Sequence, residues 1–117
     1  MSSTDEKLMK LVARLNEKSK GGEVAWEPSA ANESQFIASF PGYSVAIQEA
    51  GGGFDRVSYF FSILDGTGNK LESIEASENE RWNHWPKVGQ DLLTLYTEAR
   101  RRALNVEQAL DNLLKAL

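Results

Sequence analysis

The segment RWNHWPK, residues 81–87, contains two of the three tryptophans and the only histidine of a 117-residue chain. A histidine can act as a metal ligand or as a general base. A metal site needs several ligands, however, and the chain has neither a cysteine nor a second histidine. No residue near His84 has the pattern of a nucleophile that it could activate. We therefore predict no catalytic residue, no metal site and no cofactor, and an enzyme with a carboxylate and His84 site is the weakest alternative.

The two tryptophans of this segment have different expected roles. At helical spacing, Trp85 belongs to the apolar stripe of the segment that follows it, so we expect Trp85 in the core. Trp82 lies off that stripe and could cover a sheet edge, pack on the last helix or contact a partner. Trp82 and His84 are therefore candidate interaction residues.

Two other segments have the composition of phosphate-binding sites without the spacing. EAGGGFD, residues 49–55, contains consecutive glycines, and strand alternation resumes at Val57 where a phosphate loop would open a helix. A hairpin loop is expected there instead. In EARRRAL, residues 98–104, helical geometry spreads the three arginines around the helix and leaves no basic stripe. We expect no binding of nucleic acid.

Length and composition indicate one globular domain, residues 1–117. Hydrophobic residues make up 41% of the chain and charged residues 26%, which is an ordinary globular balance. The start, MSSTDEKLMK, lacks the basic residues and apolar run of a secretion signal. No apolar run approaches the roughly 18 residues that a membrane helix needs. We expect a cytoplasmic protein that does not bind membranes, and the absence of cysteine is consistent with a reducing compartment.

The net charge of −4 is unevenly distributed along the chain. Residues 21–80 carry ten acidic and two basic side chains, a net charge of −8, whereas residues 1–20 and 81–117 carry +2 each. An acidic centre argues against contact with a phosphate backbone. It also permits an alternative function, an inhibitor, immunity-type or regulatory protein whose acidic β region binds a basic partner.

The spacing of apolar residues along the chain predicts the helices and strands that position the candidate residues. Near 3.6-residue spacing predicts a first helix that ends at Gly21-Gly22, a helix from Pro86 onward, and a last helix that starts at Asn105. Between about residues 24 and 75 the spacing is twofold and predicts five short strands, with either a bulge near Ser73 or an early end of the last strand. Short connections favour an antiparallel meander. The predicted fold is α+β, with the N-terminal helix and both C-terminal helices packed on one face of the sheet.

The second face of this sheet is the most informative feature for function. Ile37, Phe60 and Leu64 alternate away from the predicted core and could form an apolar patch, which often marks association. We predict a small non-catalytic protein-interaction module that self-associates through this outer sheet face, with a second copy of itself as the partner in a homodimer. Phe60 is the expected anchor, and its replacement by glutamate should weaken self-association. The last helix carries an apolar stripe of Leu110, Leu113, Leu114 and Leu117, which must be covered by its own chain or by a neighbour.

Three segments resemble those of small bacterial or phage proteins without an assigned function. They are WEPSAANESQFIASFPGYSVAI, YFFSILDGTGNKLESI and LYTEARRRALNVEQALDNLLKAL. Together they provide a tryptophan-led strand, a hairpin, an Asp-x-x-Gly turn and a closing helix within residues 24–117. The resemblance implies a bacterial or phage setting and an α+β fold, and it supplies no catalytic residue.

Overall fold

The computed structural model describes residues 3–51 and 57–117, and the predicted glycine-rich loop lies largely outside them. The elements in chain order are α1 (Ser3–Lys20), β1 (Trp26–Pro28), β2 (Gln35–Phe40), β3 (Tyr43–Gly51), β4 (Val57–Asp65), β5 (Lys70–Ser77), α2 (Val88–Ala103) and α3 (Val106–Ala116). The prediction of an α+β fold with an N-terminal helix, a five-stranded antiparallel sheet and two C-terminal helices is confirmed.

The five strands form one sheet in the order β1-β2-β3-β4-β5, so every strand pairs with its neighbours in sequence. Between β2 and β3 the turn residue Gly42 has φ 79°, a conformation that glycine adopts without steric cost. The predicted bulge lies in β5 at Leu71, two residues before Ser73, because Ile63 pairs with Glu72 while Leu64 pairs with Lys70. Alternation along the strands places side chains on an inner face toward the helices or on an outer face, and the bulge at Leu71 interrupts this pattern in β5.

The core lies between the inner face of the sheet and the helices α1 and α2. Tyr96 of α2 places its ring 5.7 Å from Phe36 and 5.6 Å from Tyr59. Burial raises the pKa of Tyr59 to about 12. The largest fully buried apolar side chains are Trp85, Phe36, Phe61, Ile47, Leu92, Leu95, Val12 and Val88. The expected burial of the inner-face alternation beneath the helical stripe is thus confirmed.

Helix α1 lies beside α2, and two side-chain hydrogen bonds join the C-terminal part of α1 to residues near both ends of α2. Asn16 donates a hydrogen bond from Nδ2 to the Asp91 carbonyl at 3.1 Å, and Arg102 donates from Nη2 to the Lys20 carbonyl at 2.8 Å. The C-terminal ends of both helices therefore lie together, and the two helices run in the same general direction. On the core side, Ser19 accepts a hydrogen bond of 2.8 Å from the Trp26 indole, which connects α1 to β1.

Helix α3 differs from the prediction that both C-terminal helices pack on the sheet. None of its residues is buried, and of the described elements it approaches only α2. The inner sheet face is already covered by α1 and α2. In addition, the connection between α2 and α3 consists of two residues, and the second, Asn105, has the left-handed conformation φ 52°, ψ 47°. This tight turn directs α3 away from the core.

The turn between β4 and β5 is organised by the Asp65 carboxylate. Its Oδ1 accepts hydrogen bonds from the Thr67 backbone N–H at 2.9 Å, the Thr67 hydroxyl at 2.7 Å and the Asn69 backbone N–H at 3.0 Å. These bonds favour the ionised form and hold the pKa of Asp65 below its ordinary value of 3.8.

We expect the replacement Asp65→Asn to destabilise the fold in a pH-dependent way. Because the folded-state pKa is lowered, the contribution of the carboxylate is complete above pH 3.8 and disappears as the pH falls through the lower folded value. The melting temperatures of wild type and variant should therefore differ most above about pH 5 and converge toward about pH 2. Thermal denaturation followed by circular dichroism measures this, and a difference that stays constant over that range would contradict it.

Candidate functional site

The tryptophan-rich segment forms a tight corner before α2. Trp82 and Trp85 exchange two backbone hydrogen bonds of 3.2 and 3.1 Å, which close a turn over the two residues between them. Trp85 is only 2% exposed and its Nε1 donates a 2.8 Å hydrogen bond to Oδ2 of Asp91. The prediction that Trp85 is a core residue is confirmed. It lies in the loop and not in a helix, however, since α2 begins at Val88.

Trp82 and His84 pack within the same corner. The Trp82 ring meets Trp85 edge-on at 6.1 Å and lies 5.4 Å from the His84 ring. Its indole N–H donates to the Glu80 carboxylate. Nε2 of His84 lies 3.7 Å from Oδ2 of Asp5, near the start of α1. Both side chains are half-buried and hold the loop to its surroundings, and their role as interaction residues stays a prediction.

A surface depression of about 780 Å³ lies beside this corner, and His84 is not one of its lining residues. It is lined by Glu78, Asn79, Glu80, Arg81, Pro86, Lys87, Gln90 and Asp91, a mixture of both charges. Within residues 3–51 and 57–117, no group of three or more His, Asp or Glu side chains is placed to hold a metal ion. His84 and the carboxylates of the enzyme alternative therefore do not share this cavity, and that alternative stays a prediction.

The outer sheet face carries the three predicted patch residues on the side away from α1 and α2. All three are half-buried among their neighbours on the sheet. Ile37 lies opposite Ala46, which lies opposite Ser62, between Phe60 and Leu64. A shallow depression of about 260 Å³ occupies this centre. The predicted patch is therefore three apolar side chains spaced around a small-residue centre.

The apolar stripe of α3 is the most exposed hydrophobic surface of the described chain. Leu110, Leu113, Leu114 and Leu117, which we call the α3 stripe, are 49%, 58%, 74% and 102% exposed. An isolated helix of 11 residues is marginal in water, because short helices depend on packing of their apolar face. The sequence pattern identified this stripe, and the structure shows that its own chain leaves it uncovered.

A second apolar surface lies where the sheet extends beyond α1. We call it the α1–sheet groove, a depression of about 630 Å³. Its lining is Leu11, Arg14, Leu15, Lys18, Glu23, Val24, Phe40, Tyr43, Val45 and Ile63. Phe40 and Tyr43 at its rim are 43% and 56% exposed. This groove was not predicted from the sequence. The inner-face alternation, which continues to Phe40 and resumes at Tyr43, was a signal for its apolar lining.

Acidic side chains are concentrated along the free edge of the sheet. Glu72 and Glu75 are exposed on the edge strand β5, and Glu78 and Glu80 follow it. Charges on an edge strand oppose pairing with the strands of another molecule. The arrangement therefore has a structural explanation, and the alternative of a basic partner for this region stays a prediction.

Comparisons with known proteins leave these surfaces without an assigned role. No family model matches the chain, and no match was found among curated proteins or solved structures. The resemblance to small bacterial or phage proteins accordingly stays a prediction. Among the described residues, no helix has both the length and the apolar character required to cross a membrane.

Proposed function

We propose that the protein is a small non-catalytic interaction module that self-associates, with the α3 stripe as its principal contact. The observation that carries the proposal is an amphipathic helix in which no side chain is buried. Complete burial of a leucine contributes about 1.5–3 kcal/mol. The four leucines are 49–102% exposed, so Leu114 and Leu117 in particular retain most of this contribution for association.

The outer sheet face is the second candidate surface. Phe60 is less exposed than the leucines of α3, and Ser62 separates it from Leu64 on the same strand. Less apolar area is therefore available there for removal from water. The module could use this face for a further partner while α3 holds two copies together.

Replacement of Leu113 and Leu114 by glutamate is expected to convert the protein from a dimer to a monomer. Because neither side chain is buried in its own chain, the thermal stability of the monomer should be almost unchanged. The dimer dissociation constant should rise at least about 100-fold, as expected when central apolar contacts are lost. Sedimentation equilibrium measures the constant, and a wild type that is monomeric at every accessible concentration would refute self-association.

The matched control is Phe60→Glu, which places the same charge on the outer sheet face. Under the present proposal this variant keeps the wild-type dissociation constant. If Phe60→Glu dissociates the dimer and the α3 variant does not, the outer face is the contact, as the sequence pattern predicted, and the assignment to α3 is wrong.

A further inference from the structure

The described part of the chain contains two apolar surfaces of opposite shape. The α3 stripe is exposed, and in the groove Phe40 and Tyr43 are exposed while Leu15, Val24 and Val45 are buried. The α3 stripe is a convex ridge of four leucines, and the α1–sheet groove is a concave surface lined largely by apolar side chains. Its volume of about 630 Å³ lies within the range of protein sites that enclose a partner group, about 300–1,000 Å³. A ridge of this kind can pack into such a groove, and both apolar surfaces then lose contact with water.

Helix α3 lies outside the groove of its own chain, since of the described elements it approaches only α2. On α1, the groove residue Arg14 lies about 160° around the helix from Asn16, which contacts α2. Helix α1, about 10–12 Å wide, therefore stands between α2 and the groove. The connection from α2 to α3 is Leu104 and Asn105, and it spans at most about 11 Å. With α3 in this position, a copy of α3 that enters the groove comes from a second molecule.

The lengths of the two surfaces agree. The α3 stripe extends from Leu110 to Leu117, and the α1 wall of the groove extends from Leu11 to Lys18. Each spans two helical turns, or about 10 Å. Helix α3 can therefore lie along α1 with its leucines directed at the apolar floor.

The charges at the borders of the two surfaces are complementary. Arg14 and Lys18, four residues apart, form a basic row on the α1 wall of the groove, and Nζ of Lys18 lies 3.2 Å from the carboxylate of Glu23, which also lines the groove. Glu107 and Asp111, also four residues apart, are exposed on α3 and flank its stripe on the side of Leu114. With the stripe in the groove, the acidic row can face the basic row, which favours one orientation of α3.

We propose that α3 of one copy binds in the α1–sheet groove of a second copy, and that the reciprocal contact completes a twofold dimer. This inference rests on the proposed self-association and names its partner surface. Each molecule supplies one ridge and one groove. With twofold symmetry the two contacts form together and close the assembly at two copies, whereas without it the same contact would build a ring or an open chain.

The decisive experiment mixes two defective variants of the full chain. One carries Leu113→Glu and Leu114→Glu on α3, and the other carries Tyr43→Glu at the exposed rim of the groove. Each alone should be monomeric, with a dissociation constant raised at least about 100-fold. Their equimolar mixture should form a one-to-one heterodimer, because the intact α3 of the second variant meets the intact groove of the first.

The outcomes separate this inference from the proposed function. If the Tyr43→Glu variant dimerises like wild type while the α3 variant is monomeric, α3 contacts another surface, such as a second α3. Self-association then stands, and the placement in the groove is overturned. A monomeric wild type overturns the proposed function itself. The mixed pair retains one of the two contacts, so if both variants are monomeric and the mixture associates no more tightly than either variant alone, the groove does not receive α3.

A charge exchange tests the orientation. The pair Arg14→Glu and Lys18→Glu, or the pair Glu107→Lys and Asp111→Lys, should weaken the dimer about fivefold at low salt. The variant with all four replacements should recover the wild-type dissociation constant to within about twofold, since the rows are again opposite in sign. If the dissociation constant of the combined variant instead rises by the product of the two separate effects, the acidic and basic rows do not face each other in the dimer.

Discussion

Replacement of Trp85 by alanine is expected to lower the free energy of unfolding by about 3–5 kcal/mol. The side chain is 2% exposed, so its removal leaves a cavity that the surrounding core cannot fill completely. The hydrogen bond from its Nε1 to Asp91 is lost as well. A loss of this size is a large part of the total stability of a domain, about 5–15 kcal/mol. Urea denaturation followed by circular dichroism measures it.

The matched control for Trp85→Ala is Trp82→Ala in the same corner. Trp82 is half-buried, and its ring contacts Trp85 and His84 from the outside. We expect the control to cost about 1 kcal/mol, because less area returns to water and no closed cavity remains. Equal losses for the two variants would contradict the assignment of Trp85 as the buried anchor of the corner.

Replacement of Gly89 by alanine is expected to destabilise the protein by about 3 kcal/mol. Gly89 lies in the first turn of α2, where this helix passes against the end of β5. A Cβ atom there would lie 2.0 Å from the Ser77 carbonyl oxygen and 2.7 Å from that of Glu78. Both obstacles are backbone atoms, so relief requires movement of the helix or of the strand. In an exposed helix the same change stabilises by about 1 kcal/mol, so the sign of the effect is diagnostic.

The matched control for Gly89→Ala is Gly21→Ala, at the end of α1. A Cβ atom at Gly21 would have its nearest contact at 3.6 Å, with the Lys18 carbonyl oxygen, which is an ordinary van der Waals distance. We expect a change within about 0.5 kcal/mol there. Denaturant titrations of both variants provide the comparison, and a stable Gly89→Ala variant would refute the close contact between α2 and β5.

The fold was largely predictable because its elements have strong and distinct periods. Val57, Tyr59, Phe61 and Ile63 recur at twofold spacing, and Leu92 and Tyr96 repeat at helical spacing, so each set defines a single face directed at the core. Local signals also marked the boundaries. Gly21-Gly22 ends α1, where Gly22 has φ 75°, as predicted from the glycine pair.

The features that escaped prediction depend on contacts between distant segments. Gly89 resembles any helical glycine in sequence, and only the approach of β5 shows why an alanine cannot replace it. Trp85 has helical spacing, but its bridge to Trp82 places it in a turn. The apolar stripe of α3 predicts that the helix is buried, but it does not indicate against which surface. The left-handed conformation of Asn105 directs α3 away from the core of its own chain.

The candidate surfaces were predictable in part for the same reason. Ile37, Phe60 and Leu64 were correctly placed on the face away from the helices, since alternation fixes the face of a strand residue. Their spacing around Ala46 and Ser62 depends on the register between strands, which the sequence pattern alone does not determine. The groove depends on how α1 lies across the sheet, a tertiary arrangement that no local sequence signal determines.

The pairing of each strand with its sequence neighbours has a consequence for biosynthesis. The sheet can assemble hairpin by hairpin as the chain leaves the ribosome, because its contacts are local. Helix α1 emerges first, yet Asn16 meets its partner Asp91 only 75 residues later. At translation rates of about 5–20 residues per second, the apolar side of α1 remains without its α2 partner for roughly 4–15 s. The apolar side of α1 therefore stays open to aggregation until α2 has been synthesised.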